Sequence, residues 1–324
     1  MPAKRYETIA AKQVLNRVKV ESMPFDWSIN PYRGCAHGCS FCYARGFQSF
    51  LGKEPNDEFQ NHIFLKTNAA DALERQLARI AKSYGARPEA TGPLVGSVAI
   101  GTATDPYQPI EGKAGITRSI LAVLAKYRVP TSVTTRSPLI LRDVDLLERM
   151  DVTSINISVS TLDPDVTRKL EPATPNPAKR LETVEALAAR GLPAGVFIAP
   201  ILPFLTDDEA SLDALFASAK RRGAAFAMTS LLRLSPDVKP WYFRTLEMHF
   251  PELTRRYAAL YDKAYARADY AESMRTLLAR LSAKHGLDGR VPERPAAPAP
   301  GSVADGRIGR TASAPEAIQL TFSF

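Results

Sequence analysis

The sequence predicts a mixed α/β fold, namely a partial, open TIM-type barrel of six or seven strands with a helical extension at its C-terminal end. Between about residues 25 and 232, short apolar runs alternate with segments of helical periodicity. Such alternation is typical of parallel strands joined by crossover helices. The strands are too few for a closed eightfold barrel, and the length of 324 residues leaves room for the appended helices.

The composition is that of an ordinary globular protein, with 45% hydrophobic and 23% charged residues. Collagen-like, mucin-like and wholly disordered chains are thereby excluded. No apolar run approaches the ~18 residues of a membrane span, and the N-terminal stretch lacks the apolar region of a secretory signal. We therefore expect a cytoplasmic protein with no membrane partner. The net charge of +8 favours an acidic partner such as nucleic acid, but only mildly.

Seven apolar runs are the predicted strands, and most of them are rich in Val, Ile, Thr and Phe. In chain order they are PFDWSIN, HIFLK, VGSVAIGT, PTSVTTRS, TSINISVS, PAGVFIAP and AAFAMTSLL. Residues 1–24 precede them as a polar lead-in, for which we expect one short helical stretch.

Four segments between these strands have the i, i+3, i+4, i+7 spacing of apolar residues that marks an amphipathic helix. They are residues 69–83, 116–127, 177–190 and 207–222. We expect Asn68, Asn176 and Thr206 to be N-caps, and Gly191 and Gly223 to follow helix ends.

The chain changes character after residue 232. Pro251 opens a long helical stretch with one apolar and aromatic face, which most simply packs against the barrel. From residue 289 the content of Pro, Ala, Gly and Ser predicts a disordered tail. We therefore divide the chain into a lead-in (1–24), a barrel (25–232), a helical extension (233–288) and a tail (289–324).

The three cysteines, Cys35, Cys39 and Cys42, lie within eight residues in the spacing C-x3-C-x2-C. An odd, clustered set does not describe a disulfide framework, whereas thiolates select zinc, copper(I) or iron–sulfur clusters. A cubane cluster normally takes four cysteines, so one iron would here lack a protein ligand and stay open to a small molecule. The alternative is a zinc site with His37 as its fourth ligand, although such sites usually staple small domains.

A resemblance to a known family becomes specific around the cysteines. The phrase NPYRGCAHGCSFCYAR, with Phe41 just before the last cysteine, resembles the signature loop of the radical S-adenosylmethionine (SAM) enzymes. The later segments GTATDPYQPIEGK, TTRSPLILRD, ISVSTLDPDVTRKLEP and PNPAKR are similar to the branch that contains spore photoproduct lyase. Together these segments cover about residues 24–203.

The resemblance implies a partial barrel of the radical SAM kind and a [4Fe-4S] cluster held by Cys35, Cys39 and Cys42. It implies that SAM binds the open iron and is reductively cleaved to a 5′-deoxyadenosyl radical, which abstracts hydrogen from an unknown substrate. A flavodoxin or ferredoxin is the implied electron donor. The class of the reaction, whether lyase, transferase or oxidoreductase, stays open.

Eight residues are the SAM contacts that the resemblance implies. Phe41 and Tyr43 flank the last cysteine and resemble positions that meet the adenine, with simple packing of the loop as the alternative. The others lie at or after the ends of predicted strands: Thr104, Asp105, Glu111, Arg136, Ser158 and Arg180. Arg136 is a candidate to hold the SAM carboxylate, while Glu111 is equally a helix cap and Arg180 equally part of a solvated helix face.

Two other functions stay open. The first is repair or modification of nucleic acid in the manner of spore photoproduct lyase, with basic and tyrosine-bearing C-terminal helices as the binding surface. That lyase returns a hydrogen atom from a cysteine, whereas Thr102 occupies our best placement of this position. The second is a zinc- or cluster-bearing binding module without catalysis. In addition, the segment from Gln319 to Phe324 resembles peptides that dock into the bacterial sliding clamp.

Overall fold

The computed structural model describes residues 4–20, 22–51 and 56–288. The predicted tail, including the segment from Gln319 to Phe324, lies outside the described residues, so the expectations of disorder and of clamp docking stay predictions. Among the helices that the structure describes, none has both the length and the apolar composition needed to cross a membrane.

The strands and helices follow one another in the alternating order that the sequence predicts. The described strands are β1 Arg5–Ile9, β2 Asn16–Arg17, β3 Trp27–Ile29, β4 Tyr32–Arg33, β5 His62–Lys66, β6 Val98–Ile100, β7 Thr131–Thr135, β8 Val152–Ser158, β9 Ala194–Ile201 and β10 Ala227–Leu231. The described α-helices are α1 Glu58–Asn61, α2 Ala69–Ser83, α3 Gly92–Val95, α4 Glu111–Ala114, α5 Ile116–Lys126, α6 Val144–Leu147, α7 Pro164–Leu170, α8 Pro177–Ala188, α9 Glu209–Arg221, α10 Lys239–His249, α11 Thr254–Leu260 and α12 Ala268–Lys284. Short 3-10 helices cover Tyr43–Leu51, Pro88–Ala90, Pro138–Asp143 and Pro251–Leu253.

The main sheet has seven strands in the order β10-β9-β8-β7-β6-β3-β2. The strands from β3 to β10 in this order all run parallel, and only the two-residue edge strand β2 is antiparallel. Within the described residues the two outer strands do not pair with each other, so the sheet is open. The predicted open α/β architecture with crossover helices is confirmed.

The lead-in and one predicted strand behave differently from the expectation. HIFLK forms β5, but this strand belongs to a separate three-stranded sheet in the order β1-β5-β4. The described part of the lead-in contains the strands β1 and β2 where we expected a short helix, so that expectation is wrong. Because β1 pairs in parallel with β5 along its whole length, backbone hydrogen bonds to a distant segment decide its conformation.

The four predicted helices are present as α2, α5, α8 and α9, with ends that shift by at most two residues. The long helical stretch after Pro251 is wrong as a single element, because α11 ends at Leu260 and α12 begins at Ala268. In the break, the Ala264 carbonyl accepts a hydrogen bond from the Leu234 amide (2.8 Å). The break therefore ties the extension to the segment that follows β10.

Only one of the three predicted N-caps has the expected bond. Asn176 accepts from the Lys179 amide (2.8 Å) and caps α8. Asp208, not Thr206, caps α9, since the Thr206 hydroxyl accepts from the Leu202 amide instead (2.8 Å). Asn68 makes no cap bond and exchanges hydrogen bonds with the backbone of Ala11, which fastens the lead-in to α2.

Buried apolar side chains form two main clusters. The larger one fills the space between the main sheet and its helices. The second, which we call the C-terminal core, packs α10 and α11 against the cysteine loop and contains Cys39 and Phe41 together with Tyr242, Leu246 and Tyr257. The helical extension thus contributes directly to the surroundings of the cysteines.

Candidate functional site

The three cysteines lie in the loop between β4 and the 3-10 helix Tyr43–Leu51, and all three are free thiols. The loop turns at Gly34, where φ is +78° and an added Cβ would lie 2.8 Å from the carbonyl oxygens of His62 and Phe59. Only glycine tolerates both this left-handed backbone and this close approach. Gly34 therefore fixes the path of the chain into Cys35.

Arg45 holds the far side of the loop from within. Its fully buried guanidinium donates from Nε to the Cys39 carbonyl and from Nη2 to the Gly38 carbonyl, both at 2.9 Å. The same group lies over the Trp241 ring, with Cζ 4.6 Å from its centroid. A rigid fork of donors suits this double anchoring, which a lysine cannot reproduce. Sequence reasoning missed this role, although Arg45 closes the signature phrase.

Side chains from the segment after β6 hold the near side of the loop. The Thr104 hydroxyl donates to the Gly34 carbonyl (2.7 Å), and Gln108 accepts from the Ala36 amide at Oε1 (2.9 Å). The Tyr43 hydroxyl donates to the Thr102 carbonyl. Of these two predicted SAM contacts, Thr104 therefore bonds the backbone of the cysteine loop, whereas Tyr43 bonds the backbone of the segment after β6.

The thiols lie in a low-dielectric environment, and the ring of His37 from the same loop is a neighbour of Cys35. Burial, followed by the presence of neighbouring thiols, raises the pKa of Cys42, and burial is also the main cause of the raised pKa of Cys39. Burial opposes ionisation of Cys35 too, but attraction to the neighbouring His37 ring brings the pKa of this thiol below its ordinary value. Repulsion from the other thiols of the loop adds to both raised pKa values, so the three thiols lie close enough to interact electrostatically.

Asp105 organises the polar side of this site. His37 lies with Nδ1 3.2 Å from Asp105 Oδ2, and both side chains are almost completely buried. Burial works against ionisation of both, yet their mutual attraction raises the pKa of His37 to about 9 and lowers that of Asp105 to about 2. Asp105 also accepts from the Thr135 hydroxyl (2.6 Å) and the Arg136 amide (2.8 Å). The carboxylate thus links the ends of β6 and β7 to the cysteine loop.

Arg136 and Phe41 face each other across the site. The Arg136 guanidinium carbon lies 6.0 Å from the centre of the Phe41 ring, and Nε lies 3.4 Å from a Glu171 oxygen. Burial lowers the pKa of Arg136, but the nearby Cys39 sulfur and the Glu171 carboxylate raise this pKa by a larger amount. The guanidinium therefore stays cationic. The side chain is 21% exposed, and one cation therefore remains accessible beside the buried thiols.

Arg180 is buried rather than part of a solvated helix face. It forms an ion pair with Glu171 at 2.5 Å and donates to the Ser158 carbonyl at 3.1 Å. The Ser160 hydroxyl donates to the other Glu171 oxygen (2.9 Å). This network joins the end of β8 to α8 and to Arg136. Sequence reasoning did not single out Glu171, whose partners belong to other elements of the fold.

Glu111 lies in a second buried network. Its carboxylate accepts from the amides of Thr117 (2.9 Å) and Arg118 (3.3 Å), from the Tyr32 hydroxyl, and from Arg142 at 2.7 Å. Both oxygens therefore have protein donors, and the amides belong to the first turn of α5. Glu111 therefore acts as a cap at the start of α5, which was the alternative to SAM binding.

A cavity of about 530 Å³ lies next to the cysteine loop. Its walls come from that loop and from the segments after β6, β7 and β8: His37, Tyr107, Pro109, Ser137, Pro138, Leu139, Ala173, Thr174 and Pro175. Ligands of parallel α/β sheets bind at this carboxyl edge of the strands. The cavity thus gives a small molecule access to the side of the loop that carries His37.

The donor set is compatible with an iron–sulfur cluster. Among the described residues, no group of three or more His, Cys, Asp and Glu side chains is placed so that it could hold a metal ion. The ligands of a zinc ion must converge on one centre. In a cubane each cysteine binds a different iron, so the sulfurs need not converge on one ion. Three coupled thiols on one buried loop are compatible with that arrangement.

Comparison with known proteins gives a family and a fold. The sequence profile of the Radical SAM superfamily matches residues 29–216. An uncharacterised protein of Mycobacterium bovis and one of Mycobacterium tuberculosis are each 35% identical over 299 residues, which cover 90% of this chain and 84% of theirs. An uncharacterised protein of Methanocaldococcus jannaschii is 28% identical over 62% of this chain and 69% of its own.

Among solved structures, spore photoproduct lyase in complex with dinucleoside spore photoproduct superimposes with a TM-score of 0.61 at 18% identity, over 86% of this chain and 79% of the lyase. At this identity the likeness concerns the fold. The profile match covers more than half of the chain and includes the cysteine loop and the sheet edge described above. This chain therefore belongs to the radical SAM superfamily of enzymes.

Proposed function

We propose that Cys35, Cys39 and Cys42 hold a [4Fe-4S] cluster and that SAM binds beside it at the carboxyl edge of β6, β7 and β8. The observation that carries this proposal is the loop of three coupled, mostly buried thiols surrounded by polar side chains of that edge. When bound, the two groups supply a one-electron cleavage of SAM and a 5′-deoxyadenosyl radical for hydrogen abstraction from a substrate.

The residues of the chain bind, orient and shield these groups. Arg136 is the accessible cation next to the thiols, which suits the SAM carboxylate. Phe41 offers a ring face opposite it. Thr104 and Tyr43 orient the loop through its backbone and that of Thr102, while Arg180 fixes the end of β8 at Ser158. Burial of the loop excludes water from the reacting centre.

The position of this site assigns different roles to the barrel and to the helical extension. The barrel of residues 25–232 supplies the cysteine loop and the strand ends, so we assign the chemistry to it. Residues 233–288 cover the loop through the C-terminal core. We assign them the exclusion of solvent, and a flavodoxin or ferredoxin is the electron donor that this chemistry calls for.

The test is release of 5′-deoxyadenosine from SAM by anaerobically reconstituted protein under dithionite. The intact protein should form it, and Cys39→Ala should form none because one iron loses its ligand. Ser40→Ala is the matched control in the same loop, since the Ser40 hydroxyl has no hydrogen-bond partner among the described residues. A wild-type protein that carries the cluster, binds SAM and never cleaves it would refute catalysis and favour a binding module.

A second candidate concerns the substrate. Three cation–aromatic pairs lie in the segments after β8, β9 and β10: Lys169 over Phe250 (4.8 Å), Arg256 over Phe204 (3.9 Å) and Arg233 over Tyr265 (5.3 Å). Proteins bind single-stranded nucleic acid by stacking its bases on aromatic rings and by placing basic side chains next to its phosphates. These pairs favour a nucleic-acid substrate at the rim of the sheet.

Binding of a labelled single-stranded oligonucleotide, measured against salt concentration, tests this candidate. Binding should weaken steeply as salt rises, and Arg256→Ala should weaken it further. Arg149→Ala should not, because Arg149 is an exposed residue after α6 that pairs with Asp145. No binding at low salt would leave small molecules and peptides as substrates. Because this proposal assigns all three cysteines of the sequence to the cluster, none of them is left to return a hydrogen atom to the substrate.

A further inference from the structure

Two segments of the chain carry a high density of cations and no acidic residue. Residues 10–20 of the lead-in include three lysines or arginines, and residues 75–88, which run from α2 into the segment after it, include four. All seven of these residues are exposed. They are Lys12, Arg17, Lys19, Arg75, Arg79, Lys82 and Arg87, and we call them the basic surface.

Gln76 of α2 holds the two segments side by side. Its Oε1 accepts hydrogen bonds from the amides of Val14 (2.9 Å) and Leu15 (3.1 Å), and its Nε2 donates to the Leu15 carbonyl (3.1 Å). Gln76 lies between Arg75 and Arg79, which are one helical turn apart and therefore share a face of α2. The cations of the lead-in thus lie next to those of the helix.

Within the part of the chain that the structure describes, none of these seven cations forms an ion pair. Glu74, the acid that precedes them on α2, is already bound, since it accepts from Lys126 Nζ and from the Tyr127 hydroxyl, both at 2.7 Å. Asp71 and Glu89 are exposed on either side of the second segment and pair with none of the cations. The basic surface therefore keeps its positive charge available to a partner.

The basic surface lies at the amino ends of the strands of the main sheet. Arg17 of β2 pairs with Trp27, the first residue of β3, and its guanidinium carbon lies 5.9 Å from the centre of the Trp27 ring. Lys82 and Arg87 lie at and after the end of α2, from which the chain leads to the start of β6. The cysteine loop and the cation–aromatic pairs of the rim lie at the carboxyl ends of the strands, so the basic surface is separate from both.

Tyr84 adds an aromatic ring to this surface. It lies between Lys82 and Arg87 in the sequence and is 51% exposed. No other large apolar side chain of residues 10–20 or 75–88 is exposed. A lipid surface is bound by a whole apolar face, whereas a single ring among cations suits stacking on a base next to phosphates. The composition of the surface therefore favours nucleic acid over a membrane.

We propose that the basic surface binds the phosphate backbone of a single-stranded nucleic acid and that Tyr84 stacks on one of its bases. Each phosphate contact releases a condensed counterion, so a group of unpaired cations gains affinity from every phosphate that it neutralises. The surface runs along two neighbouring segments, which suits an extended chain of phosphates. It includes none of the cysteines, so the inference does not depend on the proposed chemistry.

The test is binding of a labelled single-stranded oligonucleotide to the reconstituted protein, measured by fluorescence anisotropy at several salt concentrations. The logarithm of the binding constant falls with the logarithm of the salt concentration, with a slope of about −0.7 for each phosphate contact. Arg75→Gln combined with Arg79→Gln should therefore weaken binding and make this slope shallower by about 1.4. Tyr84→Ala should weaken binding about fivefold or more and leave the slope unchanged, because it removes a stacking ring and no charge.

Arg275→Gln combined with Arg280→Gln is the matched control. It removes the same charge from α12, where the two exposed arginines pair with Glu272 (2.6 Å) and Glu209 (2.8 Å), and it should keep the wild-type slope. An equal loss of slope in the two double variants would mean attraction by net charge alone and would overturn the inference, as would no binding at low salt or equally tight binding of poly-glutamate. Formation of 5′-deoxyadenosine without nucleic acid tests the proposed function separately and should not differ between these proteins.

Discussion

Glu171 is the residue that connects most of the side chains around the candidate site. It binds Arg180 at 2.5 Å and lies 3.4 Å from Arg136, so one carboxylate balances two buried or half-buried cations. Burial opposes its ionisation, but the two arginines lower the pKa of Glu171 to about 2. The ionised group therefore stabilises the fold at any pH above its ordinary value of 4.5, and this contribution is lost as the pH falls toward 2.

Replacing this carboxylate should be costly. In Glu171→Gln the Arg180 guanidinium stays buried without its anion, and we expect the free energy of unfolding at pH 7 to fall by about 3–5 kcal/mol. The deficit relative to the wild type should shrink as the pH drops from 5 toward 3, because the wild-type carboxylate then becomes protonated as the chain unfolds. Urea unfolding at several pH values measures both effects.

Glu182→Gln is the control for that comparison. Glu182 lies on α8, the helix that carries Arg180, and pairs with Lys179 at 2.7 Å, but this pair is exposed to solvent. Exposed pairs contribute little, so the control should unfold like the wild type. A Glu171→Gln protein as stable as the control at pH 7 would mean that the buried network does not hold the end of β8.

At the scale of elements, the cysteine loop depends on one tight turn. Gly34 and Gly191 both have positive φ values, +78° and +71°, but only Gly34 faces backbone atoms at 2.8 Å, while open space surrounds Gly191. Alanine at either position has the cost of a left-handed backbone. In Gly34→Ala the loop must also move away from β5 and the residues before it.

We therefore expect Gly34→Ala to lower the free energy of unfolding by about 1–3 kcal/mol more than Gly191→Ala. It should also hold less iron after reconstitution, since the loop positions Cys35. Urea unfolding of both variants and iron analysis provide the comparison. Equal losses of stability would show that the close approach at Gly34 is not maintained in solution.

Elements with strong periodicity were predictable, and those that depend on distant partners were not. Residues 69–83 form α2 as predicted, because apolar spacing alone determines an amphipathic helix. HIFLK is a strand as predicted, but its membership of the small sheet depends on pairing with Arg5–Ile9 and Tyr32–Arg33. Local sequence does not encode such pairings, and the same is true of the break between α11 and α12.

In the candidate site, too, features set by local sequence were predictable and those set by distant partners were not. The spacing of Cys35, Cys39 and Cys42 is local and was readable, as was the placement of polar residues at strand ends. The ion pair between His37 and Asp105 joins positions far apart in the sequence, so no local motif predicts it. Arg45 is the last residue of the signature phrase, and only its burial and its hydrogen bonds to Cys39 and Gly38 show which part of the loop it holds.

At the scale of the whole molecule, the C-terminal core joins the helical extension to the cysteine loop. Leu246 of α10 is fully buried in the same cluster of side chains as Cys39 and Phe41. Leu121 of α5 is equally buried, but it belongs to the larger core between the sheet and its helices. Substituting each leucine in turn therefore distinguishes an effect on overall stability from an effect on the cysteine loop.

Leu246→Ala and Leu121→Ala should each lower the free energy of unfolding by about 2–5 kcal/mol, because each leaves a cavity. Only Leu246→Ala should also speed the bleaching of the cluster by an iron chelator under anaerobic conditions. Visible absorbance against time gives the rates. Equal rates in the two variants would show that the extension does not shield the loop.

The proposed function depends on three cysteines that hold a cluster with one iron open to SAM. The most direct measurement is the electron paramagnetic resonance spectrum of the anaerobically reconstituted, reduced protein, recorded with and without SAM. We predict an iron and sulfide content of one [4Fe-4S] cluster per chain and a spectrum that changes when SAM is added. A colourless protein that binds zinc instead, or a cluster spectrum that SAM leaves unchanged, would contradict it.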